Sequence, residues 1–434
     1  MNADLTTREK IVYPVGLLGQ NMIYNFMAMY ILFFLTDIVG IPAAAATAIM
    51  LGASFWDAIN DPMMGMLADR TRTRWGKFRP YLLIGPGILA AVTILCFADF
   101  STAGSAPVAI YAIFYVLWGM SYTICDIPIW AISSVVSTNP TGKTTMVTLG
   151  KIGGTIGAAI ASVCSIMIIN AFGGDRAPAA YTYSAATIAV IGGILMLLVG
   201  FFLKERIQPT KEIIPFRKNI RTVTRNKPLK LLLLALLAVY MVNGIRQSAQ
   251  MYFVVYVWGD SSLLTFIGLS LVVGMIFGMA VSSFLMKKFT KRNIFISACV
   301  LGGVISAIPF FIGSGNIPFC LIMLGFSFAF TGITTIVGTA MLMDAIDYSE
   351  KLLGFRGEGI VFSLNTFITK LSAMISKGII GIGLVLMSYQ EGQAITPVTV
   401  TGFGSMIYLI PAVCFFLTVI PLLFYKNYLN ESES

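Results

Sequence analysis

The sequence predicts an all-α integral membrane protein of twelve transmembrane helices in two pseudo-symmetric six-helix bundles. Three observations predict it. Hydrophobic residues make up 57% of the chain and charged residues only 11%, with a mean hydropathy of +0.86, far from the balance of a water-soluble domain. The 434 residues divide into twelve apolar runs long enough to cross hydrocarbon, a crossing that takes about 20 helical residues. The basic residues between the runs fall almost wholly on one side. Helices follow from the solvent, because in lipid a spanning segment must satisfy its own backbone hydrogen bonds.

In order, the runs cover residues 11–37, 43–68, 80–100, 107–134, 146–171, 181–203, 230–257, 261–286, 294–313, 317–345, 357–388 and 401–425. Ten mostly polar residues precede the first run, which is too long for the apolar core of a cleavable signal, so the first helix is expected to be its own targeting signal. Of the 29 basic residues, 24 lie on the N-terminus, the even-numbered connections and the C-terminus, and only Arg176 lies on an odd connection. By the positive-inside rule both termini are expected in the cytoplasm. The net charge of +10 is therefore a matter of topology and lipid contact, and no nucleic-acid partner is expected.

The connection 204–230 is the longest polar one, carries nine basic residues and parts the runs six and six. It sets the expected domains: residues 1–203, a linker 204–229, and residues 230–434. Ile213, Ile214, Phe216 and Ile220, set among Lys and Arg, suit either a partly helical linker lying on the anionic leaflet or a solvated loop that only fixes topology. A short basic turn follows the second run (69–79) and another follows the eighth (287–292), matched places in two halves, as in proteins that rock two bundles about a central site. Cys96, Cys125, Cys164, Cys299, Cys320 and Cys414 are scattered, without C-x-x-C spacing or a partnering His, and suit small core hydrophobes.

The chemistry concentrates in polar residues inside the runs. Phe55-Trp-Asp-Ala-Ile-Asn-Asp-Pro62 places Asp57 and Asp61 one helical turn apart on one face. Tyr122-Thr-Ile-Cys-Asp-Ile-Pro-Ile-Trp130 adds Asp126, with Thr123 and Trp130 three and four residues away on its face. A carboxylate at the bilayer centre costs at least ~2.5 kcal/mol, so such acids call for a cation or a proton between them. Three carboxylates and a hydroxyl offer enough hard oxygens for a small monovalent cation. The chain has no His, so a proton relay would have to use carboxylates, Lys or water. Four bases also lie inside runs: Lys151, Arg246, Lys370 and Lys377. Buried ion pairs of the acids with Lys151, Arg246 or Lys370 are the alternative reading. For Trp130, helix packing and a sugar-stacking platform stand equal, and Lys377 either snorkels to the interface or faces a cavity.

The sequence resembles the glycoside, pentoside and hexuronide cation symporters, the melibiose permease-like family of the major facilitator superfamily. The likeness spans nearly the whole chain and is densest at Trp56-Asp-Ala-Ile-Asn-Asp-Pro62, Arg74-Trp-Gly-Lys-Phe-Arg-Pro80, Leu117-Trp-Gly-Met120, Tyr122-Thr-Ile with Asp126-Ile-Pro128, and Asp344-Ala-Ile-Asp-Tyr348. It implies the major facilitator fold, with sugar and coupling cation sharing a midplane cavity. The family's cation-site residues match Asp57, Asp61, Asp126 and Thr123. Its sugar-pocket positions match Asn21, Asp126, Trp130 and Lys151, of which Asp126 and Trp130 keep the family's residue type. Where the family's galactoside pattern has Lys-Asp on helix one, this chain has Gln20-Asn21, and an arginine before the helix-two acids is Ser54. Asn21 can still bond sugar hydroxyls, but Lys151 lacks the planar fork of an arginine.

The expectation is a symporter that imports a sugar or glycoside with a monovalent cation, sodium first and lithium or a proton as alternatives, needing no cofactor and acting as a monomer. The sugar site is expected to draw on Asn21, Asp126, Trp130, Lys151, Arg246 and Lys370. With one carboxylate offset by the cation, Lys151, Arg246 and Lys370 leave about one surplus positive charge, which suits an acidic substrate such as a hexuronide; the competing reading is a neutral glycoside. An enzyme is disfavoured, since neither a His nor a Cys cluster supplies a nucleophile–base pair or metal site, and a sensor on this scaffold would carry an extra soluble domain. The basic turn is further expected to latch against Asp344, Asp347, Glu350 and Glu358.

Overall fold

The computed structural model describes residues 5–100, 107–137, 140–206, 226–353, 358–389 and 396–425. The first six helices are α1 (Thr7–Phe33), α2 (Ala43–Arg70), α3 (Arg79–Cys96), α4 (Pro107–Ala131), α5 (Pro140–Ala171) and α6 (Pro178–Phe202). The next five are α7 (Lys227–Phe253), α8 (Leu264–Leu285), α9 (Lys291–Ile312), α10 (Ile317–Leu353) and α11 (Glu358–Leu386). The last, α12 (Pro397–Leu423), is broken by a π turn at Ser405–Leu409. Eleven helices among the described residues are long and apolar enough to cross a membrane. The remaining one, α2, has the length at 28 residues but carries Asp57, Asn60 and Asp61 in its middle.

Two compact units divide the chain: Met1–Lys211 with Ser388–Gln393, and Glu212–Met387 with Ala394–Ser434. In the first, the most extensive packing joins α1 to α5 and α6, α3 to α4 and α6, and α2 to α4. In the second it joins α7 to α11 and α12, α9 to α10 and α12, and α8 to α10. Subtracting six from each label turns the second set into the first, so the repeat suggested by two basic turns extends to the main helix pairings. The repeats also match in detail, since α1 and α7 both run on into a π turn, at Phe34–Ile38 and Val254–Trp258.

Helix ends go beyond the apolar runs where the caps dictate. Thr6 and Glu9 form a reciprocal capping box that starts α1 at Thr7, before the apolar run at 11. Asn226 caps α7 by accepting from the Leu229 amide and also donates to the Ala345 carbonyl and Ser349 Oγ of α10. Small residues set the closest approaches. A Cβ at Gly153 or Gly157 of α5 would stand 2.0 or 2.1 Å from the Pro14 or Leu18 carbonyl of α1. In the second unit the equivalent intimacy lies elsewhere, with Gly278 of α8 against the Ala329 carbonyl at 1.9 Å and Gly332 of α10 against that of Met275 at 2.4 Å. Backbone-on-backbone packing of this kind holds helices together where lipid removes the hydrophobic drive.

At the basic-turn end of the first unit, Glu205 reaches from beyond α6 to the start of α3, accepting from the Lys77 amide at 2.7 Å, the Phe78 amide at 2.7 Å and the Arg79 amide at 3.0 Å. Gly76 makes room with φ +112°, where a Cβ would meet that carboxylate at 2.6 Å. Beside it, Arg206 binds Glu9 at 3.0 Å and the Val136 carbonyl at 2.7 Å. The matching end of the second unit is held by an ion pair, Lys291 Nζ to Asp344 Oδ1 at 2.6 Å. Asp344 is thus engaged inside its own unit. Residues 354–357, in the loop expected to latch the basic turn, and 207–225, which include Ile213, Ile214, Phe216 and Ile220 of the linker, lie outside the described residues.

Candidate functional site

In the first unit α2 and α4 run in register. Asp57 packs on Gly119, and one turn further Asp61 meets Thr123, whose Oγ1 donates to Asp61 Oδ1 at 2.9 Å. The glycine is required, because a Cβ at position 119 would stand 2.4 Å from Asp57 Oδ1. The next turn of α4 brings Asp126 round to α1, where Gln20 Nε2 donates to its Oδ1 at 2.6 Å and to the Tyr122 hydroxyl at 3.3 Å. Tyr122 is itself held between rings, stacked on Trp118 at 5.4 Å and tilted against Tyr24 at 5.3 Å. Trp118 is fixed in turn by its Nε1–H on Thr93 Oγ1 of α3 at 3.1 Å.

Asp57, Asp61 and Thr123 thus lie where α2 meets α4, and Asp126 where α4 meets α1. Among the described residues no three acidic, Cys or His side chains close to the distance for sharing a metal ion. Ionised carboxylates repel one another, and here Asp61 and Asp126 each take a neutral hydrogen-bond donor instead. Three contributors were missed in the sequence: Gln20, Gly119 and Tyr122. Gly119 stood in the Leu117-Trp-Gly-Met120 motif and Gln20 was noted only as a changed residue. Nothing in the spacing says that either would touch an acid on another helix.

The expected sugar positions are dispersed. Asn21 turns its amide back to the Leu17 carbonyl of its own helix at 3.0 Å and abuts α5, where a Cβ at Gly154 would lie 2.8 Å from its Nδ2. Lys151 lies one turn earlier on α5 and is exposed. Trp130 is partly buried against an apolar cluster that includes Tyr13, Leu17, Met64 and Phe78. In the second unit Lys370 and Lys377 sit half-buried on α11.

Arg246 of α7 is 3% exposed and lies inside the helix packing of the second unit. Its Nη2 donates to Ser306 Oγ of α9 at 2.6 Å and Ser327 Oγ of α10 at 2.9 Å, and its Nε to the Ile407 carbonyl of α12 at 3.3 Å. Phe328 stands with its ring centroid 5.0 Å from the guanidinium carbon. The Ile407 carbonyl lies in the π turn of α12, whose Tyr408 carbonyl accepts from Ser306. The guanidinium so placed ties four helices together through Nε and Nη2, while its Nη1 is buried with no hydrogen-bond partner.

The repeated six-helix units, the first with acids inside its spans, belong to a membrane transporter of the major facilitator type and not to an enzyme, as the matching family model and relatives show. The chain belongs to the MFS/sugar transport protein family, whose model matches residues 12–427, and within it is of the glycoside–pentoside–hexuronide symporter type. It is similar to the inner membrane symporter YicJ of Escherichia coli (strain K12), 29% identical over 96% of this chain and 91% of that one. It is equally similar, at 29%, to the isoprimeverose transporter of Lactiplantibacillus pentosus, over 96% of this chain and 88% of that one. The glucuronide carrier protein homolog of Escherichia coli (strain K12) is 27% identical over 98% and 93%. Among solved structures, a bacterial homolog to the human lysosomal transporter Spinster shares the fold with a TM-score of 0.68 at 14% identity, covering 96% of this chain and 95% of that chain.

Proposed function

We propose that this protein imports a sugar or glycoside in symport with a monovalent cation, sodium in the first place, with both termini in the cytoplasm. The observation that carries the reading is the acid cluster of α1, α2 and α4. There two carboxylates inside the span are held by neutral donors, Thr123 on Asp61 and Gln20 on Asp126. Thr123 and Gln20 are neutral, so the bonds they make do not themselves offset the acids' negative charge, which suits a cation at this depth. A hydroxyl also has lone pairs to turn toward the ion. The inward movement of one positive charge across 100 mV supplies ~2.3 kcal/mol, enough for about 50-fold accumulation of a neutral substrate at tenfold per ~1.4 kcal/mol.

The sharper form of the proposal is an acidic glycoside. It is supported by the cationic residues Lys151 and Lys370 and by a relative named as a glucuronide carrier protein homolog. Arg246 supports it less, since its Nε and Nη2 are engaged inside the second unit and only its buried Nη1 is without a partner. Uptake of a radiolabelled glycoside panel into vesicles, with sodium, lithium or protons as the sole gradient, tests the whole reading. Sodium-driven accumulation of a glycoside is the expected result; no counterflow of any sugar would reject transport. A neutral glycoside that competes far better than its uronic acid would reject the acidic form alone.

A further inference from the structure

We propose that Gln20 is itself a ligand of the coupling cation, through its side-chain carbonyl oxygen. The inference rests on the symport reading above and adds a residue to its cation site. Gln20 is 0% exposed, at the point where α1 meets α4. Its Nε2 is committed, at 2.6 Å from Asp126 Oδ1 and 3.3 Å from the Tyr122 hydroxyl. The amide has only this orientation available beside an ionised carboxylate, which accepts and cannot donate. Oε1 of the same planar amide is therefore left as an acceptor in the acid cluster, and it is buried with no hydrogen-bond partner.

A buried acceptor left without a donor costs about 1–3 kcal/mol. The same amide's N–H holds Asp126, and Thr123, on the same helix as Asp126, holds Asp61; both carboxylates are acceptors too. What an amide oxygen and carboxylates have in common is affinity for a hard cation. A proton does not fit this role equally well: it would reside on a carboxylate, and an amide oxygen is too weak a base to hold it. Gln20 thus favours a metal ion over a proton, and its N–H, by holding Asp126 in place, fixes the carboxylate beside the ligand oxygen.

Binding of radioactive sodium to the purified full-length chain, titrated at pH 8, tests this with two variants. Gln20→Met keeps the length but removes the oxygen, and is expected to raise the half-saturating sodium about tenfold or more. Gln20→Glu keeps an oxygen in place and loses the donor to Asp126, and is expected to stay within about threefold of wild type. Thermal melting of each variant establishes that it folds; if the Met variant does not, Gln20→Leu, which also lacks the oxygen, takes its place. Unchanged sodium binding in Gln20→Met overturns the proposal. So does a loss in Gln20→Glu as large as tenfold, which would mean that Gln20 acts only through its N–H. A wild-type chain that responds to protons but not to sodium overturns the proposal and leaves symport standing, whereas one that responds to no cation removes both.

Discussion

In the first unit the interior between α1, α2 and α4 holds Asp57, Asp61 and Asp126; in the second, the interior between α7, α9, α10 and α12 holds Arg246. The main helix pairings of the two units are the same, so the chief difference is one of side chains on a repeated frame. The charges are also held differently. Asp61 and Asp126 are met by a hydroxyl and an amide, groups that can trade a hydrogen bond for a metal ion at small cost. The Arg246 fork instead spreads its bonds over Ser306, Ser327 and the Ile407 carbonyl on three other helices. A guanidinium offers five donors and no acceptor in fixed geometry, which suits it to locking elements together. The comparison teaches that one interior is built to exchange a partner and the other to keep its own.

The largest effect expected from this contrast is at the acids. Asp57→Asn and Asp61→Asn should each abolish sodium-driven accumulation while leaving sugar binding measurable. Accumulation at the wild-type level in both single variants would break the distinction at its root. Next comes Arg246→Met, which takes a buried donor from Ser327, from the Ile407 carbonyl and from Ser306, the last keeping its bond to the Tyr408 carbonyl. A loss of ~2–4 kcal/mol in stability is expected, with a matching fall in melting temperature and unchanged sugar affinity in the folded fraction. A large selective loss of sugar affinity at wild-type stability would instead return Arg246 to the binding site.

Smaller and more local is Gly119→Ala. The added methyl must displace Asp57 Oδ1 from 2.4 Å, and overpacking of this kind costs about 1–3 kcal/mol. Sodium affinity should fall by about tenfold. Gly52→Ala on α2, where a Cβ meets nothing within 4 Å, is the matched control and should transport normally. Equal behaviour of the two alanines would show that Asp57 does not need its place against α4.

The smallest effects separate the two ends carrying the basic turns. Glu205→Gln weakens a carboxylate that accepts three backbone amides, and should cost ~1–2 kcal/mol in thermal unfolding. Lys291→Met removes an ion pair whose side chains are 37% and 24% exposed, and should cost under ~1 kcal/mol. The reverse order would mean that the paired charges of the second unit, and not the cap on α3, hold these ends.

Hydropathy made the spans legible in the sequence, because the cost of leaving water accumulates residue by residue whatever the neighbours are. The acids were legible for the same reason: Asp57, Asp61 and Asp126 stand out wherever an ionised group lies in a run that must cross hydrocarbon. The bounds were less so, since α1 begins at Thr7 and α7 at Lys227 through the caps of Thr6 and Asn226, local hydrogen bonds to which hydropathy is blind. What only the tertiary structure decided is which side chains meet. Gln20 and Asp126 are 106 residues apart in the chain, and Gly119 matters only because α2 lies against α4. Arg246 looked like a cavity charge by depth alone; that it ties four helices depends on Ser306, Ser327 and the π turn of α12, each unremarkable in its own stretch of sequence. Depth in the membrane is set by a residue's immediate neighbours, whereas a hydrogen-bond partner is set by the packing of distant helices, and so the first could be read from the chain and the second could not.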